Sequence, residues 1–366
     1  MHTYLWCRPV CLLRFVLLLV PSAAHAEFYD RPFELRLFLS VDRQSNYSST
    51  LARQASMAAL DGGSANPGAA AWREPVEPLT TVTASFVDAP STGGRRVVAA
   101  PVTIRWQAQG TGTIALAYAH TDTRNPQGND GMQQSLRSDE WIGGYGRRIG
   151  DHAAVGFTVR LTSGKIVSDA ISPAVGDQPV RKSTSFLSPD ASVGYVVDVG
   201  GGPATLGFAA GYGRARADTS ITTLTPLVIS LPPIAAPIVL PPSTLLDESR
   251  DDISTFTLRA GAGFHLNDAT AIYVDTSGLH VSTRHSGSLN LVRFALGAEH
   301  AASQGFILRG GVGVDTIGKV NWSCGFGYRL NRSFEAQLAF QTNAAPEVNR
   351  EIGRTRLLAG SLAWVF

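Results

Sequence analysis

The residues that could carry covalent or metal chemistry do not fall into patterns that would let them act. Eight histidines are spread singly along the chain, and His265, His280, His285 and His300 show no ligand spacing. No H-E-x-x-H, paired-cysteine metal spacing, phosphate loop or G-x-S-x-G elbow occurs. Serine and histidine are both present, yet an outer-membrane phospholipase would need them paired on a lipid-facing surface, and no convincing pair is found. The sequence therefore reads as a non-enzyme with no cofactor and no metal. The chemistry that does stand out is apolar. From Ile221 the chain runs I-T-T-L-T-P-L-V-I-S-L-P-P-I-A-A-P-I-V-L-P-P-S-T-L-L and carries no charge until Asp247. Proline argues against a regular strand or helix there. Exposed apolar surface of this size marks an interface or a ligand groove. The candidate ligand-binding residues are Leu224, Leu227, Val228, Ile229, Leu231, Ile234, Ile238, Val239 and Leu240. The competing reading is a low-complexity insertion, or a loop folded into a mouth without ligand.

The elements that would hold this stretch are β-strands. Counting back in twos from the last residue gives Phe366, Trp364, Leu362, Gly360 and Leu358, bulky and aromatic at the end. The other parity, Val365, Ala363, Ser361, Ala359 and Leu357, is mostly small. In a strand these sets face opposite ways. The same alternation recurs upstream. Val155, Phe157, Val159 and Leu161 oppose Gly156, Thr158, Arg160 and Thr162. Phe256, Leu258, Ala260, Ala262 and Phe264 oppose Thr257, Arg259, Gly261, Gly263 and His265. In these windows charge falls on the polar parity only, which is the pattern of a wall with lipid outside and water inside. The strands expected are 79–87, 95–107, 112–121, 135–147, 151–167, 184–198, 202–217, 252–266, 268–282, 288–299, 303–313, 319–331, 332–343 and 355–366. About fourteen strands make an even number, as a single-chain bacterial barrel requires. Every second connection is short, while 122–134, 168–183, 218–251 and 344–354 are long and fall on the other end. The fold class is thus all-β, a transmembrane antiparallel β-barrel over 79–366. An edge strand of a soluble sandwich is the alternative for the last stretch alone. Inward parity collects Arg105, Arg160, Arg259, Arg293, Arg309, Arg329 and Glu335, read as a structural ion-pair network, with lumen binding as the alternative.

Compartment is read from the N-terminus. Arg8 and Arg14, the apolar run Phe15–Val20 and Ala24-His25-Ala26 have the layout of a cleaved secretory signal, giving a mature chain from Glu27. Without residues 1–26 only Cys324 remains, which excludes an intrachain disulfide framework. Loss of Arg8 and Arg14 from 31 basic residues matches them to the 29 acidic ones. A charge balance of zero gives no hint of a nucleic-acid partner. Only 16% of residues are charged and mean hydropathy is +0.04, although no mature stretch reaches the roughly 18 apolar residues of a spanning helix. Residues 27–78 do not read as strand. Ser49 or Thr50 could cap a short helix through Ala59, followed by Asp61-Gly62-Gly63 and Asn66-Pro67-Gly68.

With the signal, the small-residue helix, Asn66-Pro67-Gly68, about fourteen strands and a terminal Phe366 assembled, the chain resembles the FadL family of outer-membrane transporters of hydrophobic compounds. The family motif is Asn-Pro-Ala, from which Gly68 departs, and the interval between Asp61 and Asn66 is compressed. The resemblance implies an N-terminal hatch over 27–78 that plugs the barrel through Asn66, Pro67 and Gly68. It also implies long external loops, with 219–249 a docking surface for hydrophobic ligand, and a periplasmic N-terminus in the outer membrane of a Gram-negative cell. The expected function is passive, hatch-gated uptake of fatty acids or aromatic hydrocarbons, with no cofactor. Partners would be outer-membrane lipid, the hydrophobic ligand and, during biogenesis, the barrel-assembly machinery, which reads the terminal Phe366. Related hatch-containing barrels act as secretion accessories, so a non-transporting scaffold for protein partners is the alternative function.

Overall fold

The computed structural model describes residues 66–70, 79–92, 94, 96–108, 110, 112–127, 133–172, 178–199, 204–229, 238–284, 287–303, 305–316, 320–331, 333–342, 354 and 356–366. The expected signal segment and the helix through Ala59 lie outside them. One short helix, α1 (Pro67–Ala70), precedes the strands. These are β1 (Leu79–Pro90), β2 (Arg96–Ala108), β3 (Gly112–Asn125), β4 (Gln134–Ile149), β5 (Ala153–Ser172), β6 (Gln178–Asp198), β7 (Ala204–Thr223), β8 (Leu227–Ile229), β9 (Ile238–Leu240), β10 (Leu245–His265), β11 (Thr270–Thr283), β12 (Gly287–Ser303), β13 (Phe306–Asp315), β14 (Val320–Asn331), β15 (Phe334–Thr342) and β16 (Arg356–Val365).

Fourteen of the strands, all but β8 and β9, form one closed antiparallel barrel in which sequence neighbours pair. Closure removes every sheet edge, the only way a sheet can satisfy its backbone within lipid. The seam joins β1 to β16 from Thr81↔Val365 to Asp88↔Leu358. It continues past the last strand, where Thr80 and the terminal Phe366 exchange backbone hydrogen bonds of 3.1 and 2.8 Å. At this seam Phe86 lies over its register partner Gly360, where an added Cβ would lie 2.3 Å from ring carbon Cε1.

The side-chain parity follows the sequence expectation. Val155, Phe157, Val159 and Leu161 are all exposed on the outer face, while Thr158 and Thr162 are buried on the inner one. Two aromatic girdles frame the apolar belt. Trp106, Tyr328 and Trp364 mark the end with short turns, and Phe86, Trp141, Tyr212 and Trp322 the end with long connections. Aromatic rings take these interfacial positions because one edge is apolar and the other polar.

Strand length divides the barrel. β5, β6, β7 and β10 run 20, 21, 20 and 21 residues, whereas β13, β15 and β16 run only 10, 9 and 10. One side of the barrel is therefore a tall wall that continues beyond the apolar belt at the long-connection end. Here the structure corrects the sequence reading. Residues 219–223 and 245–249, expected as loop, extend β7 and β10, with Ser220↔Glu248 and Thr222↔Leu245 in register. Alternation of apolar with polar side chains fades there, but the β-branched Thr219, Ile221, Thr222 and Thr223 keep the backbone extended. The remaining apolar stretch is not free of strand either. β8 and β9 pair through Leu227↔Leu240, Val228↔Val239 and Ile229↔Ile238, since the prolines flank these triplets rather than interrupt them.

Candidate functional site

The tall wall reverses the polarity of its two faces. Within the belt, apolar side chains point out and polar ones in. Above it, the outer face of β7 carries Arg214, Arg216 and Asp218, and the inner face Ala215 and Ala217. Phe186 on β6 is 5% exposed, Ile166 on β5 1%, Val281 on β11 0% and Ile253 on β10 5%. Together with Leu136, Leu279 and Leu291 they form one apolar cluster on the inner wall of β4–β7 and β10–β12. Gly164 makes room for it: a Cβ there would lie 2.7 Å from Cζ of its register partner Phe186. A second inner-wall cluster, Val87, Ala89, Ala339, Leu357 and Ala359, lines β1, β15 and β16 at the same end, packed by Val97 and Ala99 of β2. The mouth of the barrel is thus apolar inside on two opposing walls.

Deeper in the lumen the wall becomes polar and cross-linked. Arg160 donates to Asp190 on β6 and lies 3.7 Å from Glu140 on β4, which also accepts from Thr162 at 3.3 Å. Thr158 and Ser192 share a bond of 2.7 Å. Across the lumen, Arg309 donates to Glu299 at 2.7 Å and to Gln337 at 3.4 Å. Arg329 reaches Glu335 at 3.5 Å, and Arg293 donates to Asn321 at 2.9 Å. Four of the inward arginines named from sequence, Arg160, Arg293, Arg309 and Arg329, therefore belong to interstrand networks. A charge in a narrow lumen is expensive unless paired, so pairing keeps these four arginines in place.

The third layer is α1. Asn66 is 0% exposed and its side-chain amide donates to the backbone oxygen of Tyr195 at 3.4 Å. Pro67 opens the helix at the one position where its missing N–H costs nothing. The helix packs against β4, β5, β6 and β7. Phe157, Val193, Tyr195 and Phe208 are exposed on the outer face of these strands, while Ala154, Val196 and Ala209 are buried on the inner face. The helix therefore lies inside the barrel. Gly144, Gly156, Gly194 and Gly211 stand at inward positions of those strands, which leaves space for it.

Those of the ligand residues named from sequence that are described lie at the rim. Leu224 donates its backbone N–H to Pro179 at 3.1 Å, and Thr223 bonds the Pro241 oxygen at 2.9 Å, which ties the β8–β9 hairpin onto the β6–β7–β10 wall. Leu224 and Leu240 are half-buried and Val239 is exposed. Leu227, Val228, Ile229 and Ile238 are described by backbone only, and Leu231 and Ile234 lie outside the described residues. Of the hatch residues, Asn66 and Pro67 are placed as above and Gly68 sits within α1. The inner-wall clusters were missed from sequence, although Ile166, Phe186, Leu279 and Val281 break the polar parity where the strands leave the belt. Among the described residues no group of His, Cys, Asp or Glu could hold a metal.

Compared by sequence, the chain matches no protein-family model and no curated protein. Compared by structure, it is similar to the Pseudomonas putida toluene transporter TodX, with a TM-score of 0.53 at 12% identity over 84% of this chain and 93% of that one. It is also similar to a Pseudomonas aeruginosa FadL homologue, with a TM-score of 0.53 at 11% identity over 82% and 93% of the two chains. A TodX monoaromatic hydrocarbon channel lacking S2 and S3 superposes with a TM-score of 0.52 at 11% identity, over 83% and 94%. A closed barrel with an apolar outer belt is the form in which a β-sheet crosses a membrane. The chain is a 14-stranded antiparallel β-barrel of FadL-like fold.

Proposed function

We propose that this barrel carries hydrophobic small molecules, fatty acids or aromatic hydrocarbons, passively across the outer membrane, with its N-terminus in the periplasm. The observation that carries the reading is the inner wall of the tall side. A water-filled pore has no reason to line its mouth with Ile166, Phe186, Ile253 and Val281. An apolar solute leaving the β8–β9 rim gains there an enclosed surface, each fully buried aliphatic or aromatic contact being worth about 1.5–3 kcal/mol. Below it, the paired Arg160–Asp190–Glu140 and Arg309–Glu299 groups hold water and ions, and the segment around Asn66, Pro67 and Gly68 acts as the hatch. Leu224, Leu227, Val228, Ile229, Leu231, Ile234, Ile238, Val239 and Leu240 form the first docking surface. That the structural neighbours are a toluene transporter and a FadL homologue supports the same substrate class. Such passage is diffusive and needs no catalytic residue or cofactor.

The test uses cells that lack other routes for the compound. Expression of this barrel should speed uptake of radiolabelled toluene or of a long-chain fatty acid. Phe186→Asp and Ile253→Asp, which put charge into the mouth, should slow it at unchanged folded yield. Uptake untouched by both changes would remove the mouth from the pathway. Loss of co-purifying proteins with uptake intact would favour the scaffold function.

A further inference from the structure

The outer face of the tall wall, immediately above the apolar belt, is charged, and most of its arginines are matched. Arg181 holds Asp169 at 3.0 Å and Gln133 at 2.7 Å, Arg250 holds Asp218 at 2.6 Å, and Arg214 reaches Asp252 at 3.4 Å. Arg137 on β4 and Lys165 on β5 are different. They are direct register partners, Arg137↔Lys165, both exposed on the outer face, and among the described residues neither has a carboxylate within salt-bridge distance. Side chains opposite each other on neighbouring strands start only about 4.5–5.5 Å apart, and like charges in that position repel. The adjacent Asp139 balances only part of this charge: it interacts with Arg137, while its Oδ1 is shared between the Tyr118 hydroxyl at 2.7 Å and His120 Nδ1 at 2.8 Å. Two exposed serines flank the pair. Ser185 is the partner of Lys165 on β6, and Ser163 lies one outward position below.

Height decides what would sit there. Trp141 and its partner Leu161, 61% and 44% exposed, are the last large apolar pair of the belt on these strands. Arg137 and Lys165 lie four residues further along each strand, about 13 Å by strand rise and nearer 10 Å once tilt is allowed for. That is headgroup depth, where a phosphate can meet both cations and both hydroxyls.

We propose that Arg137, Lys165, Ser163 and Ser185 form an outer-wall site for the phosphate of an anionic membrane lipid in the leaflet at the long-connection end. A shared phosphate turns the repulsive pair into two charge-assisted contacts. The lipid's acyl chains then lie along Trp141, Leu161 and Leu187. This rests on the barrel being membrane-embedded and not on what passes through its lumen.

The experiment places the purified full-length barrel in phosphatidylcholine nanodiscs doped with phosphatidylglycerol, or with lipopolysaccharide, and counts retained lipid by native mass spectrometry. Each basic residue near an anionic surface contributes about fivefold, so Arg137→Gln with Lys165→Gln should weaken retention of the anionic lipid roughly 30-fold. Arg250→Gln with Arg214→Gln, on the matched part of the band, should change it little. Phosphatidylcholine should be retained no better by the wild type than by the variant. Equal retention of anionic lipid by the wild type and the Arg137/Lys165 double variant overturns the site. Inorganic phosphate displacing the lipid at equimolar concentration overturns the assignment to a lipid. A variant that fails to fold is answered by Lys165→Arg, which should keep both fold and retention.

Discussion

Single residues report which way each strand faces. Leu338 and Gln337 are neighbours on β15, facing lipid and lumen respectively, with register partners Gly360 and Ser361 on β16. Arginine at Leu338 should cost roughly 2–4 kcal/mol of folding free energy in lipid vesicles, the usual midplane penalty. The same change at Gln337, near Arg309 and Glu335, should cost far less. Denaturant titrations that find equal losses would reverse the inside and outside of β15. Gly360 gives a second residue-scale test. The Phe86 ring occupies the space a side chain would need, so Gly360→Val must displace that ring at the seam that closes the barrel. The heat-modifiable, folded fraction on gels should drop with Gly360→Val and recover in part when Phe86→Ala is added. An undiminished folded fraction in the single variant would mean that the ring moves aside freely.

At the scale of elements, the strands were readable and the ends of the tall ones were not. Alternation located all fourteen barrel strands because lipid and water impose opposite demands on successive residues. It failed beyond the belt on β7 and β10, where neither face meets lipid and the pattern that identifies a membrane strand no longer applies. The pairing Arg250↔Asp218 continues all the same, held by backbone bonds and by charges on the water side. The β8–β9 pairing was hidden by proline, which forbids a central strand yet permits a three-residue ladder between breaks. The inner-wall cluster was missed for a related reason: its members come from seven strands, and no single window shows more than one or two of them. Replacing residues 224–244 with a Gly/Ser linker should leave the barrel folded, because β7 and β10 pair without it, and should slow uptake of hydrophobic compounds. Fluorescent-lipid binding to the purified barrel should fall in parallel. If both survive, the hairpin is no docking surface. Deleting 27–78 should raise single-channel conductance in planar bilayers; unchanged conductance would mean that the segment around Asn66 blocks nothing.

On the scale of the whole molecule, closure and asymmetry act together. Strands of 12, 9 and 10 residues on the β14–β16 side close the cylinder, and the wall opposite is about twice as long. Removing Phe366, whose backbone groups pair with Thr80 across the seam, should lower the folded yield in outer-membrane fractions, and an unaltered yield would argue that the assembly machinery does not need it. The tall wall also makes departure from the bilayer improbable in a physical sense. For the barrel to slip out toward its short-turn side, Arg137, Lys165, Arg181, Arg214, Arg216 and Arg250 would each have to traverse hydrocarbon. At about 2–4 kcal/mol apiece near the midplane, the toll exceeds about 10 kcal/mol even before their acidic partners are counted. The same projection that shelters an apolar mouth thus works as a barb. It makes residence in the membrane a matter of kinetics rather than equilibrium, and it leaves proteolysis as the cell's practical means of removing the protein.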